Sequence, residues 1–193
     1  MITVYVNKLD PSFELPSYAT SLSACFDLRF QAKPSTIING VNSHNIPIEL
    51  NLEQSRFTDQ PYRVYMNPGD RLLIPTGLVF RIIPDFPVDI VGNKLQVDPD
   101  TERYSIRLHP RSSLAYKRGL ALANCEGVID LDYQEQVFVP IMNTSNLIQR
   151  VELNERVCQG ELVRCPKVRF FEVKDKLQPF SERDGGFGST GKF

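Results

Sequence analysis

Proline, glycine, asparagine and aspartate cut this chain every few residues into short runs rich in β-branched, aromatic and aliphatic side chains. The runs are TVYVN (3–7), FDLRF (26–30), IPIELNL (46–52), YRVYM (62–66), RLLIP (71–75), LVFRII (78–83), YSIRL (104–108), GLALAN (119–124), VFVPIM (137–142), RVCQGELVRC (156–165) and KVRFFEV (167–173). This is the pattern of many short strands in a sandwich or barrel. Ile46, Ile48, Leu50 and Leu52 alternate with Glu49, Asn51 and Glu53, which places the apolar set on one face of a half-buried sheet. No helical apolar period is sustained, and the best helical candidate is the brief stretch Ser112 to Lys117.

A length of 193 residues suits one domain with a core of its own. With 41% hydrophobic residues, the bulk of the chain is excluded from the disordered class. Twenty-two Lys and Arg against 23 Asp and Glu leave a net charge of −1, so no general field draws the chain to nucleic acid or an anionic membrane. Phosphate binding would have to come from clustered arginines. No apolar run reaches the roughly 20 residues of a membrane span, and MITVYVNKLD lacks the basic-then-apolar plan of a signal peptide. The expected compartment is the cytoplasm, or the host cytoplasm for a viral source.

Cys25, Cys125, Cys158 and Cys165 are scattered without CxxC or Cys/His metal spacing, which reads as reduced, partly buried thiols. His44 and His109 are the only histidines, so the base of an enzyme here falls to a carboxylate. The C-terminal RDGGFGSTGKF is too glycine-rich to pack as a strand. It reads either as a frayed terminus or as a lid whose Arg183, Ser189, Thr190 and backbone N–H groups wrap a polyanion, with Phe187 free to stack on a base.

Read together, five segments resemble the motifs of the trimeric deoxyuridine triphosphate nucleotidohydrolases, the dUTPases. They stand in family order: SACFDLRF (Ser23 to Phe30), PRSSLAYKRG (Pro110 to Gly119), NCEGVIDLDYQEQV (Asn124 to Val137), ERVCQGEL (Glu155 to Leu162) and RDGGFGSTG (Arg183 to Gly191). PGDRLLIPTGL (Pro68 to Leu78) is similar to the family's stretch between the first two. The resemblance implies an all-β, distorted jelly roll of the dUTPase-like (β-clip) type with little helix. It also implies a homotrimer whose three active sites lie at subunit boundaries, with a flexible Gly-rich C-terminal arm closing a neighbour's site. Residues 1–182 would form the β domain and 183–193 the arm. The implied reaction is Mg²⁺-dependent hydrolysis of dUTP to dUMP and pyrophosphate, which keeps uracil out of DNA and supplies dUMP for thymidylate synthesis.

Residue by residue, the resemblance makes Asp130 the carboxylate that orients and deprotonates the attacking water, where the residue alone would suit a turn. Asp132 matches a structural position. Tyr133 matches the ring that lies under the sugar and clashes with a ribose 2′-hydroxyl. Asn124, Gly127 and Ile129, with the hairpin backbone through Tyr133, would read the uracil edge. Arg111, Ser112 and Ser113 would hold the phosphates. Gln159 would contact the α-phosphate, or else simply bond within the sheet. Arg183, Phe187, Gly188, Ser189 and Thr190 would close over the γ-phosphate and base. Mg²⁺ would be held mainly by phosphates and water, with Asp27 ordering those waters or serving as a buried structural aspartate.

Cys25, Ser113, Glu135 and Asp184 stand where the family commonly has glycine, and the two acids add negative charge near a polyanion. Extra residues, roughly 31–61 and 84–104, read as decoration or as surfaces for a protein partner or a neighbouring subunit, the second as a projecting hairpin or loop. Two rival functions share these features. One is a dCTP deaminase, which would need a glutamate on the strand after the hairpin, where Val137 to Met142 has no carboxylate and only Glu135 is near. The other is a nucleotide-sensing regulator acting through the insertions.

Overall fold

The computed structural model describes residues 2–54, 61–83, 89–91, 94–96 and 103–175, with backbone alone for 89–91 and 94–96. Its strands are β1 (Thr3–Lys8), β2 (Ser17–Tyr18), β3 (Phe26–Arg29), β4 (Ile37–Val41), β5 (Pro47–Asn51), β6 (Arg63–Met66), β7 (Arg71–Pro75) and β8 (Leu78–Ile83). They continue with β9 (Asp89–Val91), β10 (Lys94–Gln96), β11 (Arg103–Pro110), β12 (Leu120–Leu122), β13 (Gly127–Asp130), β14 (Phe138–Asn143), β15 (Gln149–Glu152) and β16 (Arg156–Cys165). One helix, α1 (Ser112–Arg118), follows β11. The expected distorted jelly roll is the fold observed.

Two five-stranded sheets, ordered β13-β11-β16-β3-β2 and β12-β14-β7-β4-β5, dominate the molecule. Two-stranded pairs β1-β8, β6-β15 and β9-β10 complete it, and every described pair is antiparallel. A single apolar core draws Leu28, Ile106, Leu108 and Ile129 from the first sheet and Ile38, Leu72, Ile74, Val139 and Ile141 from the second. Period-two alternation along each strand sends one set of side chains inward and leaves the other for the outer face. In β13 the burial runs in, out, in, out from Gly127 to Asp130.

The alternation around Ile46 is realised in β5, where Ile48 and Leu50 are half-buried, Leu52 beyond the strand is buried, and Ile46 stays exposed at the hairpin end. The segment expected to be an insertion at 31–61 carries regular structure. Its β4–β5 hairpin joins the second sheet through Gly40 opposite Leu72 and Val41 opposite Arg71, and it gives Ile38 and Leu52 to the core. The second insertion contains the antiparallel β9–β10 hairpin.

The helix expected over Ser112 to Lys117 is α1. Gly119 ends it in the left-handed conformation (φ 64°) that costs glycine nothing, and its N–H closes on the carbonyls of Leu114 and Ala115. The strand expected over KVRFFEV does not form. Pro166 follows directly after β16 with no N–H to continue a ladder, and the described residues beyond it are irregular, with Phe170 and Phe171 exposed.

Candidate active site

Three of the expected phosphate-site segments meet where β3, β11 and β16 lie side by side. Register places Gln159 of β16 opposite both His109 of β11 and Asp27 of β3. Arg111, in extended conformation (φ −86°, ψ 125°), links the end of β11 to α1. Its Nε lies 3.2 Å from Asp27 Oδ1, and its Nη1 donates to the Arg156 carbonyl at 3.1 Å. The second Asp27 oxygen, Oδ2, accepts from Arg156 Nη1 at 3.0 Å. One nearly buried carboxylate thus holds two guanidinium groups, leaving a net positive charge at the mouth of the cluster. Gln159 Nε2 donates to the Pro110 carbonyl at 3.1 Å, so it is fixed beside Arg111. Ser112 and Ser113 are exposed on the first turn of α1. Behind Asp27 the Cys158 thiol is fully buried, and burial, reinforced by the Asp27 charge, pushes it up to about 12.

The expected base-reading segment is built around β13, which among the described residues is an edge strand paired with β11 alone. Gly127 is buried, and a Cβ there would crowd Leu108 Cβ at 3.0 Å. Ile129 also points into the core, so only its backbone can face a ligand. Asp130 points outward, exposed, at the end of the strand. Asn124 is exposed in a turn in which Cys125 takes a left-handed conformation (φ 62°) and the Glu126 N–H donates to the Asn124 carbonyl at 2.6 Å. The strand ends at Asp130 and Leu131–Asp132 form a turn, so Asp132 does not continue the pleat that would align it with Asp130. Tyr133 folds back: its N–H donates to the Asp130 carbonyl at 3.2 Å, and its O–H donates to the Gln136 carbonyl at 2.9 Å.

These two groups lie far apart within one chain. Asp130 is cross-strand from Ser105, while Arg111 lies beyond the other end of β11. Six residues of extended chain at about 3.3 Å each put roughly 20 Å between the two positions along the strand. The motif residues thus fall into two groups, one toward each end of β11.

Arg183, Phe187, Gly188, Ser189, Thr190 and Asp184 lie outside the described residues. Among the described residues no cluster of three or more His, Cys, Asp or Glu is placed to hold a metal ion. Arg156, adjoining Gln159 in the ERVCQGEL segment, was missed by the sequence reading. So was the ion pair of Arg107 with Glu126 at 2.8 Å, which only the strand register brings together.

Residues 81–191 match the family model described as dUTPase. The chain is 32% identical over 194 residues to the deoxyuridine 5'-triphosphate nucleotidohydrolase of Laribacter hongkongensis, covering 100% of this chain and 99% of that protein. It is 31% identical over 192 residues to the protein of the same description from Hahella chejuensis, covering 99% and 95%. Among solved structures it is similar to a mutant dUTPase of Staphylococcus bacteriophage 80alpha with dUpNHpp, at TM-score 0.64 and 18% identity over 98% of both chains. It is also similar to a mutant dUTPase of phage phi11 of S. aureus, described with a structural Mg(II) ion, at TM-score 0.58 and 14% identity over 91% of this chain and 99% of that one. With a family model matched over more than half its length and a relative matched from end to end, this chain belongs to the dUTPase family.

Proposed function

We propose that the protein hydrolyses dUTP to dUMP and pyrophosphate in sites shared between subunits of a homotrimer. The observation that carries this reading is the split of the motif residues into a phosphate half, around Asp27, Arg111 and Gln159, and a base-and-catalysis half, from Asn124 to Tyr133. A threefold ring of identical chains brings the first half of one subunit to the second half of the next, so each site is completed by a second copy.

In that arrangement uracil meets Asn124 and the backbone at Gly127 and Ile129. Cytosine exchanges donor and acceptor on its edge, leaves buried groups unpaired and costs about 1 to 3 kcal/mol for each mismatch. The Tyr133 ring, anchored through its hydroxyl, lies under the deoxyribose where a 2′-hydroxyl would clash. Arg111, Ser112, Ser113 and Gln159 of the neighbouring subunit hold the phosphates and neutralise charge that grows on the leaving pyrophosphate. Asp130 takes the proton of a water aimed in line at the α-phosphorus. Arg183, Phe187, Gly188, Ser189 and Thr190 close over the substrate and exclude solvent.

The residues present fit Mg²⁺ bound chiefly by the triphosphate. Both Asp27 oxygens already accept from guanidinium groups, yet a carboxylate oxygen keeps a lone pair for a metal-bound water. When bound, Mg²⁺ supplies charge neutralisation on the phosphate oxygens. Asp27 then has two tasks: aligning Arg111 and Arg156, and orienting water.

The test is incubation of the protein with Mg²⁺ and dUTP, dCTP, dTTP or UTP in turn, with separation of the products. The reading expects dUMP and pyrophosphate from dUTP alone. Formation of dUTP from dCTP would replace it with a deaminase.

A further inference from the structure

Among the described residues the edge strand β13 is paired along one side, and the turn before it contains a non-glycine residue, Cys125, in a conformation that L side chains disfavour. Backbone bonds of Cys125 N–H to the Leu122 carbonyl at 3.1 Å and Glu126 N–H to the Asn124 carbonyl at 2.6 Å hold the turn, and Arg107 ties it to β11 as well. Arg107 projects from β11 opposite Val128, and its Nη1 donates to Glu126 Oε1 at 2.8 Å. Its Nε donates to Ser105 Oγ at 3.1 Å. Ser105 is buried, is the cross-strand partner of Asp130, and its Oγ lies 3.2 Å from Cys165 Sγ on β16. One planar guanidinium therefore spans from the turn that carries Asn124 to the residue cross-strand from Asp130.

We propose that Arg107 is a positioning residue for base selection: acting through Glu126, it sets the Asn124–Glu126 turn against the uracil edge in register with the Asp130 end of the same strand. This inference rests on the dUTP reading above. Both side chains of the pair are partly exposed, at 30% and 46%, and ion pairs so open to water add little to folding. What the pair restrains is geometry. Arginine suits the task because its rigid fork reaches two acceptors at once, which a lysine ammonium on a flexible stem does not.

The experiment compares the full-length protein with Arg107→Gln, Glu126→Gln, Arg107→Lys and the double variant Arg107→Gln/Glu126→Gln. It reads KM and kcat for dUTP, the dUTP to dCTP and dTTP discrimination ratios, and thermal melting. Arg107→Gln and Glu126→Gln are each expected to raise KM and lower discrimination by about tenfold through misplacement of the turn, with a smaller change in kcat. The double variant should be no worse than either single, since the partners act as a unit. Arg107→Lys should recover part of the loss. Wild-type KM and discrimination in both single variants would overturn the inference, as would a lowered melting temperature with unchanged kinetics, or losses that add in the double variant. Failure of the wild-type protein to turn over dUTP would strike the functional reading itself, whereas an active wild type with indifferent variants strikes this inference alone.

Discussion

Arg111 and Asp130 lie at opposite ends of strand β11, Arg111 just beyond Pro110 and Asp130 cross-strand from Ser105. Each has companions of the right chemistry: Arg111 has Asp27, Arg156 and Gln159 beside it, and Asp130 is followed by the Tyr133 turn. The ladder holds the two positions roughly 20 Å apart along the strand, so under the proposed reading a second chain is needed to bring such groups together.

Replacing Asp27 with asparagine removes the anion that holds the Arg111 and Arg156 guanidinium groups, leaving two cations side by side at the site mouth. Asp27→Asn is expected to raise KM for dUTP about tenfold through misplacement of Arg111. It should also lower stability by about 1–3 kcal/mol, the cost of weakening a nearly buried charged hydrogen-bond network. Steady-state kinetics and denaturant unfolding check the two effects, and an unchanged KM would show that Arg111 is aligned without Asp27.

Cys158 gives a pH signature. Its thiol loses a proton near 9.0 in the unfolded chain but only near 12 in the fold, because burial, then the Asp27 charge, disfavours the thiolate. Between those values the folded state binds more protons, so stability is fully present below pH 9 and falls as pH rises through the window. Urea midpoints should decline more steeply between pH 9 and 11 for the wild type than for Cys158→Ala. Iodoacetamide at pH 8 should modify exposed Cys125 and spare Cys158.

Tyr133 tests sugar selection. Tyr133→Phe keeps the ring but loses the bond to the Gln136 carbonyl, and it should weaken discrimination only slightly. Tyr133→Ala removes the steric block and should raise UTP turnover relative to dUTP on the order of tenfold. Competition assays with the two nucleotides read this ratio, and an unaltered ratio in the alanine variant would remove the ring from that role.

Most of the architecture was legible in the sequence, since period-two runs bounded by Pro, Gly, Asn and Asp dictate short half-buried strands and the ordered motifs carry the family. KVRFFEV misled because β propensity forms a strand only where a partner edge exists, and Pro166 ends the ladder that could have provided one. Ile129 was expected to meet a ligand, but alternation turns its side chain into the core, so only its backbone could do so. Arg107 and Arg156 were invisible because their partners are set by strand register, which a single sequence does not print. Asp27 stands in the sequence with its companions unseen, and the ion pairs to Arg111 and Arg156 appear only in the fold.

The claim that each site is completed by a neighbouring subunit is tested most directly by subunit complementation. Asp130→Asn and Arg111→Gln, each nearly inactive alone, are unfolded together in equal amounts and reassembled. If the half-sites meet only between chains, random trimers restore intact sites at about a quarter of the wild-type number, and dUTP hydrolysis returns to about that fraction. A mixture that stays as inactive as its parents, while trimers containing both chains are isolated from it, would contradict the account.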